Sequence, residues 1–246
     1  MNDMKAMIEQ ADDAFLKKYL IDGFHRIIFH YGNWFAETEH QFGSTDALKI
    51  EKKVWETSFG IQMKRLGKIL DFTMNDGIPD FLDNLPRETL MELLEAMGTN
   101  WLANDGVWFQ GVENNKDMGD AKRVNDTCWL RYSPFEAMRI KALMELPENG
   151  GLESLKTALG YRMYALINEQ TVEMPDDNTL IFKMVNCRVQ AARKRKGLAD
   201  YPCKSAGLVE YTTFAKAVDS RIKTECIACP PDAHPDDFFC AWKFTL

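Results

Sequence analysis

The pattern of apolar and polar residues changes period along the chain. In "DAFLKKYLIDGFHRIIFHY", from Asp13 to Tyr31, apolar residues return every three or four positions, the spacing of one helix face. The same period recurs in "RETLMELLEAMGTNWLAND", from Arg87 to Asp105. Pro86 stands at the start of this second run and Glu88 in its first turn, where a fixed φ and a carboxylate near the positive helix end favour initiation. Between the two runs, "FTMNDGIPDFLDNLP" is rich in turn formers and reads as a connector. "ENGGLESLKTALGYRMYALI" adds a turn and a further helix, after which the period shortens to two. "TVEMPDDNTLIFKMVNC" is two extended runs around Pro-Asp-Asp-Asn, a hairpin signal. A basic helix follows over Arg188 to Lys196, then a helix opened by Lys204 and Ser205 with Cys203 just before it. "RIKTECIAC" and "FFCAWKFTL" read as two last strands.

The expected fold class is therefore α+β: a helical N-terminal region, then an antiparallel sheet with helices on one face. The expected division is 1–145 for the helical region and 146–246 for the α/β module.

The helical region carries a repeat. "GNWFAETEHQFGSTDALKIEKKVWETSFGIQMKRLGKIL" from Gly32 aligns without a gap on "GVWFQGVENNKDMGDAKRVNDTCWLRYSPFEAMRIKALM" from Gly106. Trp34 meets Trp108, Trp55 meets Trp129 and Arg65 meets Arg139. The copies are placed at about 23–70 and 97–144 and read as a duplicated helical unit. One meaning is structural, with tryptophans filling a core between helix pairs. The other is a pocket, because the second copy keeps polar groups beside its aromatics, and an aromatic wall with a few polar groups suits a small molecule. The candidate ligand-binding residues on that reading are Trp108, Trp129, Glu136 and Arg139.

Charge narrows the partners. A net charge of -7 argues against a general nucleic-acid or anionic-membrane binder. The basic run at Arg188 to Lys196 is the exception and suits a solvated helix face. No early stretch reads as a signal peptide and no apolar run is long enough to span a bilayer, so a cytoplasmic location is expected. Thiols stay reduced there, and the six cysteines then read as metal ligands, reactive groups or core residues in preference to disulfides.

Five of the six lie late in the chain, at Cys187, Cys203, Cys226, Cys229 and Cys240. Cys226 and Cys229 form a C-x-x-C pair, Cys240 returns across a hairpin, and Cys203 opens the preceding helix. Cys203, Cys226, Cys229 and Cys240 are the expected metal ligands, for zinc or for an iron-sulfur cluster. Cys187 is left over as a candidate nucleophile, a further cluster ligand or a packing residue. His234 is an alternate ligand in the proline-rich turn.

The segments "NWLANDGVWFQGVE", "EAMRIKAL", "LIFKMVNC", "ARKRKGLADYPCK" and "CIACPPDAHPDDFFCAWKF" resemble an uncharacterised family of bacterial and archaeal cytosolic proteins, over about residues 88–246. The order Cys203, Cys226, Cys240 is more distantly similar to the 4-vinyl reductase domain. That resemblance implies zinc held by these cysteines, with Cys229 as an added ligand, beside a pocket for small aromatic effectors. L-2-amino-thiazoline-4-carboxylate hydrolases offer an enzymatic analogy. The expected function is a metal-binding protein with a small-molecule pocket and a structural metal. The alternative is a metal- or cysteine-dependent, hydrolase-like enzyme acting on a small sulfur- or nitrogen-containing molecule. A homodimer is one expected assembly.

Overall fold

The structure, a computed structural model, describes residues 3–195, 197 and 200–246. Lys196, the end of the basic run, lies outside the described residues. Two compact units divide the chain, Met1–Asn84 and Leu85–Leu246. The second copy of the repeat therefore lies in the same unit as the sheet.

In the first unit a short helix α1 (Asp3–Glu9) precedes two long ones, α2 (Asp13–Phe42) and α3 (Ser44–Leu70). Asp12 caps α2 by accepting the Phe15 amide. The chain reverses at Gly43, whose φ of 81° is open to glycine and costly for other residues. Tyr31 Oη donates to Glu51 Oε1 at 3.0 Å and ties α2 to α3. Two short paired strands, β1 (Met74–Asn75) and β2 (Ile78–Pro79), close the unit. Its helices bury little: Ala47, Leu48 and Gly67 on α3, and none of α2. Trp34 is 66% exposed and Trp55 42%. The expectation that these tryptophans fill a core is thus corrected for the first copy, because a helix pair alone has no third layer to cover them.

The second unit opens with α4 (Arg87–Asn115) and α5 (Met118–Leu143), joined at Asp117, which caps α5 by accepting the Asp120 amide. Then come α6 (Gly151–Gly160), a 3-10 turn at Met163–Leu166, β3 (Glu169–Asp176), β4 (Thr179–Asn186), α7 (Arg188–Arg195), α8 (Lys204–Val218), β5 (Lys223–Ala228) and β6 (Cys240–Thr245). The four strands form one sheet in the order β3-β4-β6-β5, antiparallel throughout. The molecule is α+β, as the change of period predicts.

Alternation sets the sheet's two faces. Leu180, Phe182 and Met184 of β4 and Cys240, Trp242 and Phe244 of β6 are buried on one face, while Thr179, Ile181 and Lys183 between them are only half-buried. The buried face meets α8, whose Tyr211, Phe214, Ala215 and Val218 join Leu155, Ala158 and Leu159 of α6 in the core. α5 packs along α8, the broadest helix-helix contact in the unit. Lys141 of α5 donates to the carbonyls of Val218 and Ala217, which the end of α8 leaves without helical partners. Among the described residues no helix is long and apolar enough to cross a membrane.

Candidate functional site

The site grows from α8. Its buried residues, among them Ala206, Gly207, Glu210, Tyr211 and Phe214, recur every three or four positions and face the sheet and α5. Gly207 lets the helix approach β6 closely: a Cβ there would stand 2.6 Å from Cζ2 of the fully buried Trp242. Tyr211 stacks on that indole with ring centroids 4.7 Å apart.

A cavity of about 370 Å³ opens between α4, α5, α7, the start of α8 and the ends of β4 and β6. Several aromatic side chains stand in its wall, among them Phe109, Trp129, Tyr164, Tyr211 and Trp242. Trp129 is held there by stacking on Tyr164 and by an edge contact with Trp101. Gln190 of α7 closes one side. Its amide donates to the Tyr201 carbonyl at 2.9 Å and accepts the Tyr201 N–H at 2.8 Å, so α7 and the segment before α8 are buttoned together. Trp242 Nε1 and Tyr201 Oη, both on wall residues, are buried without a hydrogen-bond partner among the described residues.

Beneath the wall lies a buried charge group. Arg162 Nε donates to Glu136 Oε2 at 2.8 Å, and Arg162 Nη2 stands 2.7 Å from Glu210 Oε1. Glu136 also accepts the Met163 N–H at 3.2 Å. The guanidinium lies over the rings of Phe214, Tyr164 and Tyr211, at 4.7, 5.2 and 5.6 Å. Glu210 alone of the three reaches the cavity. Burial outweighs the attraction of Arg162 and pushes its carboxyl up to about 7. Burial likewise raises Asp105 on the α4 side.

Four cysteines line the cavity: Cys187, Cys203, Cys229 and Cys240. None of the six in the chain is in a disulfide. The sulfurs of Cys203 and Cys229 are 3.6 Å apart. The Cys229 thiol donating to Cys203 lowers Cys203 below the usual thiol range and holds Cys229 above it. Burial pushes Cys187 up to about 12, so at neutral pH it is a thiol, a poor nucleophile. His234 pairs elsewhere, with Asp200 Oδ2 at 3.0 Å and the Pro235 carbonyl at 2.8 Å.

The four expected metal ligands are Cys203, Cys226, Cys229 and Cys240, of which Cys203 and Cys229 stand close together. Among the described residues no group of three or more His, Cys, Asp or Glu is gathered so as to hold a metal ion. The reason is local. Cys226 lies inside β5 opposite Trp242, and Cys229 lies one residue beyond the strand, so one tight turn does not present both. The register does shift between Cys226 and Ala228. Residues three apart on a regular strand face opposite sides, and an extra bulged residue lets both thiols face α8.

Of the expected ligand residues, Trp129 lines the cavity. Glu136 lies a layer below, holding Arg162. Trp108 is 67% exposed on α4, and neither it nor Arg139 is in the wall. Both sit off the inward stripes of their helices, which run through Asp105 and Phe109 on α4 and through Trp129, Glu136 and Ile140 on α5. Sequence reading missed Glu210, Arg162 and Gln190. Glu210 does leave a signal, a lone carboxylate in the apolar stripe of α8. Arg162 and Gln190 leave none, since each matters through a partner distant in sequence.

No curated protein matches the chain. A family model matches residues 83–246, a span that contains the whole unit holding the cavity. On that match the chain belongs to the family of unknown function DUF6125.

Proposed function

We propose that the second unit binds a small, largely apolar molecule in the cavity beside α8, and that the thiols at its edge hold a structural metal, zinc or an iron-sulfur cluster. The observation that carries the first part is the cavity itself, about 370 Å³ of space whose wall residues Trp242 and Tyr201 have an Nε1 and an Oη that are buried without a hydrogen-bond partner among the described residues. Buried polar groups are nearly always satisfied, and a bound molecule supplies what the protein does not.

The metal is a second reading with its own support. A tetrahedral ion with sulfur bonds of about 2.3 Å separates its ligand sulfurs by about 3.8 Å. Cys203 and Cys229 stand at 3.6 Å; Cys226, paired opposite Trp242, shares a face with Cys240, and the bulge after it turns Cys229 to that face too. Cys226 and Cys240 would complete the set by side-chain rotation. A soft ion there would add folding energy by fastening the start of α8 to β5 and β6. Kinship with the 4-vinyl reductase domain belongs to this proposal, as does reading α2 and α3 as a duplicate of α4 and α5. Association with a second copy is favoured by Ile27, Ile28 and Trp34, which α2 leaves exposed. An enzymatic role through Cys187 is disfavoured by its raised, protonated thiol.

The test is elemental analysis with an optical spectrum on protein purified without oxygen. Zinc near one equivalent and no visible absorbance is the expected result, and Cys229→Ser should abolish it. Metal-free protein with unchanged melting in both Cys203→Ser and Cys229→Ser would remove the metal. Quenching of tryptophan fluorescence by small apolar molecules tests the cavity separately, since Trp129 and Trp242 stand in its wall.

A further inference from the structure

Charge around the cavity is unbalanced. Two carboxylates, Glu136 and Glu210, meet the one guanidinium of Arg162. The geometry divides them unequally. Glu136 takes the aligned hydrogen bond from Nε at 2.8 Å, while Glu210 has a 2.7 Å approach from Nη2 that leaves Oε1 without an aligned donor. Arg162 and Glu136 lie outside the wall, and Glu210 stands in it.

Asp105 and Glu113 of α4 add two further acidic groups to the same wall, where Arg193 is the one basic side chain among the described residues. Glu210 is 6% exposed, so its charge acts in a poorly screened interior. The faces of aromatic rings are also negative, and several border the same space. Trp242, which is fully buried, has an N–H without a hydrogen-bond partner among the described residues.

We propose that the cavity takes a small organic cation, an amine or amidine on a flat apolar body, with its charged head against Glu210 and Asp105 and its body against Trp129, Tyr211 and Trp242. This rests on the cavity being a ligand site. An anion of the same shape meets carboxylates and ring faces of its own sign. A neutral isostere keeps the apolar contacts and loses the ion pair.

The test uses the full chain and three probes of one shape: benzylamine, benzyl alcohol and benzoate. They are titrated at about pH 8, where a carboxyl of ordinary or moderately raised affinity is ionised and the amine still protonated. Binding is followed by fluorescence of the wall tryptophans and by saturation-transfer NMR. Benzylamine should bind at least about tenfold more tightly than benzyl alcohol, with benzoate weakest. Glu210→Gln should bring benzylamine to the level of benzyl alcohol without moving the alcohol.

If that variant does not fold, by circular dichroism and melting, Asp105→Asn carries the comparison with an expected severalfold loss for the amine alone. Equal or tighter binding of the alcohol or benzoate overturns the cation and leaves the ligand cavity standing. So does amine binding that neither variant changes. Silence of all three probes at millimolar concentration overturns both.

Discussion

Glu210 shows how one residue's setting becomes a measurable property. Its carboxyl titrates near 4.5 in an open chain and at about 7 in the fold, because burial penalises the charged form more than Arg162 rewards it. The stability held by the protonated form is complete below the open-chain value and is lost as pH rises through about 7. Asp219 has the opposite sign. Hydrogen bonds from Arg221 and the Gly151 amide hold it well below the usual carboxylate range, so its contribution is present above the open-chain value and fades in acid. For that reason the comparison is made as a difference. Glu210→Gln keeps the neutral shape, and its melting temperature relative to wild type should rise steadily between about pH 5 and pH 8. A difference that stays flat or falls over that range would contradict this account of Glu210.

At the scale of elements, α8 is the part on which the unit depends, since it carries the wall on one side and the sheet contact on the other. Its approach to β6 is set by Gly207. Replacing that glycine by alanine has two opposed effects. A helical Gly→Ala change favours the helix by about 1 kcal/mol. The added Cβ would meet Trp242 Cζ2 at 2.6 Å and Cη2 at 3.0 Å, and that indole is fully buried and stacked on Tyr211. Overpacking of a filled core costs about 1 to 3 kcal/mol, and more where the neighbour cannot move. The clash wins. Gly207→Ala should lose about 1 to 2 kcal/mol in urea unfolding, and a gain in stability would show that α8 can stand away from the sheet. Much of α8 was legible from its spacing of three and four. Which of its neighbours Gly207 admits was not, because Trp242 lies a loop and a strand further along the chain.

For the whole molecule, the division at Asn84 and Leu85 leaves every strand of the large sheet, its core and the cavity in one unit, and the family match covers that same span. A chain of residues 85–246 should therefore unfold in one cooperative transition and keep the tryptophan-quenching response of the full chain. Loss of cooperativity on removing the first unit would show that the sheet unit cannot fold alone. The expected boundary near residue 145 followed the change of period, from helix to strand. Compactness follows a different rule: α5 buries Trp129, Glu136 and Ile140 against the later elements, and periodicity carries no information on which later element a helix face will meet.

The sequence by itself determined the local matters: the helix faces, the hairpin, the antiparallel strands, and the clustering of thiols near the chain's end. These depend on residues close together, through backbone geometry and the period of burial. Tertiary structure alone decided the cavity, the Arg162 group and the disposition of the cysteines. Glu136, Arg162 and Glu210 meet from three elements, and the C-x-x-C thiols are aimed by a bulge that shifts the register of β5 on β6. Long-range packing fixes such meetings because it is the burial of charge and apolar surface together, summed over the whole unit, that selects one arrangement of faces.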